Sequence, residues 1–258
     1  MIASRSRLRR SAGALAAVAL SFPILVGAQQ PVSRLKGRIV TERGEPIANA
    51  EVRVEAFHGY AAGTFAGQRT FSAKSDAKGD WNILGLKSGI WLFEVIAPGQ
   101  LPESVALPIQ LLTTISSGAS ASLLQWQLIL KPIAPPDSES WRVLHEASEA
   151  ARAGRSAEAT AALGRVPDDA DADYLAAAGR VSLLARDLDQ AQRYFVRALE
   201  RDPSSYRAAI GVASVLLIRR DFDMASRAFD AARSRTHDRS EQRFLSAALT
   251  DLATIRVR

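Results

Sequence analysis

"GRIVTERGEPIANAEVRVEA", residues 37–56, decides how the first half of the chain is read. Leu35, Gly37, Ile39 and Thr41 share one side of an extended segment. From Ala50 to Ala56 the pattern alternates strictly: Ala50, Val52, Val54 and Ala56 on one side, Glu51, Arg53 and Glu55 on the other. Period two with charge on one side predicts strands with one buried and one wet face. Between them Gly44 accepts positive φ, and Pro46 fixes φ near about −65° while donating no hydrogen bond. The stretch reads as a β-hairpin.

Further strand signals follow at short intervals. "RTFSAKS" runs into Asp76-Ala77-Lys78-Gly79, a tight-turn sequence. "DWNILGL" puts Trp81 and Ile83 on one face. "IWLFEVIA" does the same for Trp91, Phe93, Val95 and Ala97 before Pro98-Gly99 turns the chain. "SVALPIQLL" and "ASLLQWQLIL" supply two more. Seven short strands predict an all-β sandwich. Ile90, Leu92 and Ile96 lie opposite the expected core face of their strand and are apolar. A solvent-facing sheet surface is polar, so a cover is expected: the helical half or a partner, or equally the neighbouring loop after Pro98.

Residues 34–100 resemble the carboxypeptidase regulatory-like domain, a transthyretin-like (Ig-like) β-sandwich. The resemblance rests on Gly37-x-Ile39, Gly44-x-Pro46-Ile47-x-x-Ala50-x-Val52-x-Val54 and Ser75-Asp76-x-x-Gly79-x-Trp81-x-Ile83. Gly85-Leu86 and Gly89-x-Trp91-x-Phe93-x-Val95-x-Ala97-Pro98-Gly99 complete it. Gln100 stands where that family usually carries an aromatic. The matched positions are turn and core residues, so the resemblance implies a scaffold.

The composition changes at "KPIAPPDSES". Pro132, Pro135 and Pro136 favour an extended linker over residues 132–136. It divides a β-sandwich, 30–131, from a separate all-α solenoid, 137–258. Residues 172–205 and 206–239 repeat with a period of 34. Ala191 matches Ala225, Phe195 matches Phe229, and Ala198 matches Ala232. These residues resemble tetratricopeptide repeats, with Gly179 at the small-residue position and Ala213 in place of glycine in the second repeat. "SWRVLHEASEAARAGRSAEATAALGRVP" reads as a preceding helical hairpin turning at Gly154-Arg155. Residues 240–255 read as a capping helix opened by Ser240.

The 258 residues carry 33 Lys and Arg against 27 Asp and Glu, a formal charge of +6. The first 28 residues look like an export signal: Arg5, Arg7, Arg9 and Arg10, an apolar run from Ala12 to Val26, then Val26-Gly27-Ala28 at a cleavage position. The alternatives are an uncleaved N-terminal anchor and a buried core helix. Removing those four arginines leaves 29 basic residues against 27 acidic. That balance gives no basic stripe for nucleic acid. The run is short for a stable membrane span. No cysteine is present, which excludes disulfides, thiolate metal sites and a cysteine nucleophile. An exported chain without disulfides suits the bacterial periplasm or exterior.

No catalytic, cofactor or metal site is expected. The histidines are His58, His145 and His237, and adjacent His145-Glu146 cannot place two ligands on one metal. Phosphate-loop and nucleophile-elbow motifs are absent. Asp168, Asp169, Asp171 and Asp173 read as helix-capping acids, and Asp76 and Asp80 as turn residues. Two binding candidates remain. The tetratricopeptide resemblance implies a groove lined by Asp173, Ala176, Arg180 and Leu183 in one repeat and Arg207, Ile210, Ser214 and Leu217 in the next, suited to an acidic or amphipathic peptide. The glycine-rich stretch 57–67 offers His58, Tyr60 and Phe65 as a stacking platform for a glycan or peptide. The expected role is an exported, non-enzymatic adaptor binding a protein partner. The alternatives are a carbohydrate- or polymer-binding module and an accessory subunit of an envelope enzyme.

Overall fold

The computed structural model describes residues 34–59, 70–86, 88–109, 125–130 and 139–256. The export segment, the stretch 60–69 and the Pro-rich linker lie outside these residues. Among the described residues seven strands come first: β1 (Arg34–Ile39), β2 (Glu51–Gly59), β3 (Thr70–Lys74), β4 (Asp80–Leu84), β5 (Gly89–Ile96), β6 (Glu103–Ile109) and β7 (Gln125–Leu130). Seven helices follow: α1 (Glu139–Arg152), α2 (Ser156–Leu163), α3 (Ala172–Leu184), α4 (Leu188–Arg201), α5 (Tyr206–Ile218), α6 (Phe222–Arg235) and α7 (Arg239–Arg256).

The strands form two sheets, ordered β4-β1-β7 and β3-β2-β5-β6. This corrects the hairpin reading of residues 37–56. β1 pairs antiparallel with β4 and parallel with β7, whereas β2 pairs with β3 and β5. The chain changes sheets between them. The Ile47 amide donates to the Ile39 carbonyl at 3.0 Å, and the Asn49 amide donates to the Ser75 carbonyl. Alternation identifies a strand and its buried face, but not its partner. Gly79 is fixed by this crossing. Its φ is +77°, and a Cβ there would lie 2.3 Å from the Ile39 carbonyl oxygen. The Asp76 carboxylate accepts from the amides of Lys78 and Asp80 at 2.8 and 2.9 Å, so this acid serves the turn. The inward residues of both sheets join one apolar core that includes Leu35, Ile39, Val52, Val54, Trp81, Trp91, Phe93 and Val105.

In the helical half, α3 and α5 start 34 residues apart, as do α4 and α6. Asp171, Asp187, Ser205 and Asp221 cap α3 to α6, each accepting from an amide three residues on. Arg186 and Arg220 end α3 and α5 in the left-handed region, at φ of 65° and 64°. The Asp187 and Asp221 amides reach back to the carbonyls of Ser182 and Leu216, both at 3.0 Å, so the two turns are built alike. Two sequence expectations change here. Asp238, rather than Ser240, opens α7, accepting from the amides of Ser240 and Glu241 at 2.7 and 3.3 Å. Ala213 is buried, but the close approach in the second repeat falls at Gly211. A Cβ on Gly211 would lie 2.2 Å from the Phe195 ring, and one on Gly179 would lie 2.7 Å from it. Phe195 therefore fills the space between two bare helix backbones.

The β half and the helical half also pack on each other. Pro31–Arg258 forms one compact unit. The core that holds Leu92, Phe93 and Val105 also holds Leu183, Ile210 and Leu217. The reason is the second face of the four-stranded sheet. Ile90 and Leu92 are 1% and 3% exposed, and each such burial stabilises by roughly 1.5–3 kcal/mol. A sheet apolar on both faces is stable only when both are covered.

Candidate functional site: the helical groove and strand β6

β6 forms one edge of its sheet, paired on one side to β5. Residues 101–109, "LPESVALPI", are buried without a break. On the helix-facing side, register aligns Glu94 with Ser104, Leu92 with Ala106 and Ile90 with Pro108. α3, α5 and α7 pack against this strand.

The contacts follow the strand from its start. One Glu103 carboxylate oxygen accepts from the Arg207 guanidinium at 3.2 Å and lies 3.7 Å from that of Arg180. Arg207 also donates to the Glu42 carboxylate at 2.5 Å. The Ser104 hydroxyl donates to the Arg180 carbonyl at 3.0 Å. The Ala106 amide donates to the Ser214 hydroxyl at 3.0 Å, and that hydroxyl donates to the Ile210 carbonyl at 2.9 Å. Ser214 thus joins an amide of β6 to the middle of α5. Leu101, just before the strand, packs among Val143, Leu144 and Ala177.

Arg180 is the least satisfied group in this seam. It is 2% exposed, and none of its three guanidinium nitrogens has a hydrogen-bond partner among the described residues. The 3.7 Å approach to Glu103 is an ion pair and too long for a hydrogen bond. Burial holds the guanidinium pKa below its ordinary value, Glu103 opposes that shift, and Arg207 adds to it. The charges balance as two arginines and two glutamates, but only Arg207 is well paired.

The five groove residues expected from sequence lie on two helices, Arg180 and Leu183 on α3 and Arg207, Ile210 and Ser214 on α5. Arg180, Leu183, Ile210 and Ser214 are buried, and Arg207 is partly so. What they face differs from the expectation of an open groove. β6 of the same chain fills it. Asp173 stays exposed and Ala176 is buried. Tyr60 and Phe65 lie outside the described residues, as does the side chain of His58.

Two other seam residues were not singled out from sequence. Arg186, in its left-handed turn, pairs with Glu55 of β2, and its guanidinium lies 4.8 Å from the Phe57 ring centre. Glu94 of β5 lies 4.0 Å from Arg53, and burial raises its pKa against the pull of Arg53, Arg152 and Arg186. Arg53, Glu55, Glu94, Arg152 and Arg186 line a cleft of about 380 Å³ with Leu92. One available signal was the run Val105–Ile109, apolar without alternation, which marks a strand buried on both faces. No group of three metal-ligating side chains occurs among the described residues. No helix among them is long and apolar enough to cross a membrane.

No protein-family model and no curated protein matches the chain. Among solved structures, the TPR2B domain of yeast Sti1, solved as a complex with pHsp70, is similar over 45% of this chain and 96% of that one, at 19% identity and a TM-score of 0.39. PcrH from Pseudomonas aeruginosa is similar over 47% of this chain and 95% of that one, at 18% identity and a TM-score of 0.39. Hydroxyquinol 1,2-dioxygenase from Pseudomonas putida DLL-E4 is similar over 40% of this chain and 57% of that one, at 12% identity and a TM-score of 0.29.

Proposed function

We propose that the chain is an exported, non-enzymatic scaffold for protein–protein interaction, acting through the α3/α5 face of its helical repeats. One observation carries the reading. That face already holds an extended strand by an acidic side chain, a hydroxyl and a backbone amide, through Arg207, the Arg180 carbonyl and Ser214. A surface that binds a strand by its backbone and one charge is suited to protein or peptide partners. In this reading β1 to β7 are a carboxypeptidase regulatory-like sandwich, as the turn and core motifs of residues 34–100 suggest. Residues 1–28 direct the chain to the periplasm or exterior.

The test is affinity capture from envelope extract with the chain from residue 29 onward, beside the Arg207→Glu variant shown folded by circular dichroism. The expected result is a protein recovered by the first bait and lost by the second. Recovery of polysaccharide alone, or of the same protein equally by both baits, overturns the reading. Export is tested by fusing residues 1–28 to a reporter active only outside the cytoplasm; a silent, expressed fusion counts against it.

A further inference from the structure

We infer that the Glu103–Arg180–Arg207–Glu42 cluster is a releasable latch closing the groove in cis, and that an extended acidic segment displaces β6 from the helical face. The inference rests on the protein-binding reading above and adds its regulation.

Three observations converge. First, the occupant is part of the same chain and bears an acid at the arginines, Glu103, and small residues where α3 and α5 hydrogen-bond it, Ser104 and Ala106. Second, the latch is under-satisfied. Two buried or half-buried guanidinium groups share one Glu103 oxygen, and Arg180 gains no hydrogen bond from it. A second carboxylate brought to Arg180 supplies what the closed state lacks. Third, beside the shared apolar core, the polar contacts between the halves are side-chain pairs and single hydrogen bonds, while the backbone ladder of β6 runs to β5. Opening therefore leaves the β5–β6 ladder intact but uncovers Ile90 and Leu92, so the open form is a minor population. A competitor gains affinity in proportion to the open population, so weakening the latch strengthens binding.

The competitor recognised is a strand-forming segment with an acidic residue followed by small residues at alternate positions. The probe is a fluorescently labelled peptide with the sequence of residues 101–109, LPESVALPI, read by anisotropy against the chain from residue 29 onward. Glu103→Gln is expected to bind it at least about tenfold more tightly than the unmodified chain. The same peptide with glutamine for its glutamate is expected to bind Glu103→Gln more weakly. The chain has no cysteine, so Ala106→Cys with Ser214→Cys gives a second readout that does not depend on the glutamate. Oxidised, the pair ties β6 to α5 and abolishes peptide binding; reduced, it restores binding.

Equal peptide affinity for Glu103→Gln and the unmodified chain, with both folded, overturns the latch. Equal affinity for the oxidised and reduced cysteine pair overturns it too, because the peptide then binds elsewhere. The peptide assay needs no natural partner. Its failure therefore leaves the extract-capture result standing, and failure of that capture leaves the peptide result standing.

Discussion

The Arg180 guanidinium, buried in α3, lies 3.7 Å from the Glu103 carboxylate at the start of β6. That pairing is one of several that join the β half to the helical half, and it is asymmetric. Glu103 also holds Arg207, while Arg180 has no hydrogen-bond partner for its guanidinium among the described residues.

The asymmetry predicts unequal costs. Glu103→Ala leaves a buried guanidinium without its carboxylate and should destabilise by about 3–5 kcal/mol. Arg180→Met keeps the packing of the aliphatic stem and leaves Glu103 on Arg207, so it should be near neutral or stabilising. Urea unfolding of both variants measures the difference, and equal losses would refute the asymmetry.

Phe195 fits because Gly179 and Gly211 carry no side chain. Alanine favours a helix over glycine by about 1 kcal/mol, yet Gly211→Ala should destabilise by about 1–3 kcal/mol, because its Cβ would lie 2.2 Å from the ring. Gly179→Ala should cost less, its Cβ lying 2.7 Å away. Adding Phe195→Leu to Gly211→Ala should recover part of the loss. Thermal unfolding ranks the three.

Arg186 and Arg220 end equivalent helices at the same positive φ, but only Arg186 reaches the sheet, at Glu55 and Phe57. Arg220→Gly should relieve backbone strain and stabilise by up to about 1 kcal/mol. Arg186→Gly gains the same relief and loses both contacts, so its net effect should be zero or unfavourable. A larger gain for Arg186→Gly in urea unfolding would show that the turn is not tied to β2.

Glu94 is 12% exposed, and burial raises its folded-state pKa above the ordinary carboxylate value. The folded state therefore holds this proton more tightly than the unfolded chain does. The stabilisation is complete below the unfolded pKa and is lost as pH rises through the raised folded value. Glu94→Gln stays neutral throughout. It should unfold at a higher temperature than the unmodified chain at neutral pH, with the gap closing toward about pH 4. A gap that widens on acidification would show that Arg53 outweighs burial.

Several elements are legible in the residues alone. The alternation at Ala50–Ala56, the Asp76–Gly79 turn, the hairpin turn at Gly154 and the 34-residue period each appear where the residues place them. These are local properties: which side of a strand is apolar, which residue tolerates positive φ, which residue caps a helix. The apolar second face of β5, at Ile90 and Leu92, also announced from sequence that something covers it.

What covers it could not be read in the same way. The partners of β1, the choice of Gly211 over Ala213 for the close approach, and the filling of the groove by β6 are pairings between residues far apart in the chain. Glu103 lies 104 residues from Arg207. A residue pattern records the surface each element offers. Tertiary structure decides which surfaces meet, because the free energy of a contact belongs to both sides at once. The sequence by itself determined an all-β half and a repeating helical half. Only the tertiary structure made them one body, with the helical groove closed on the chain's own strand.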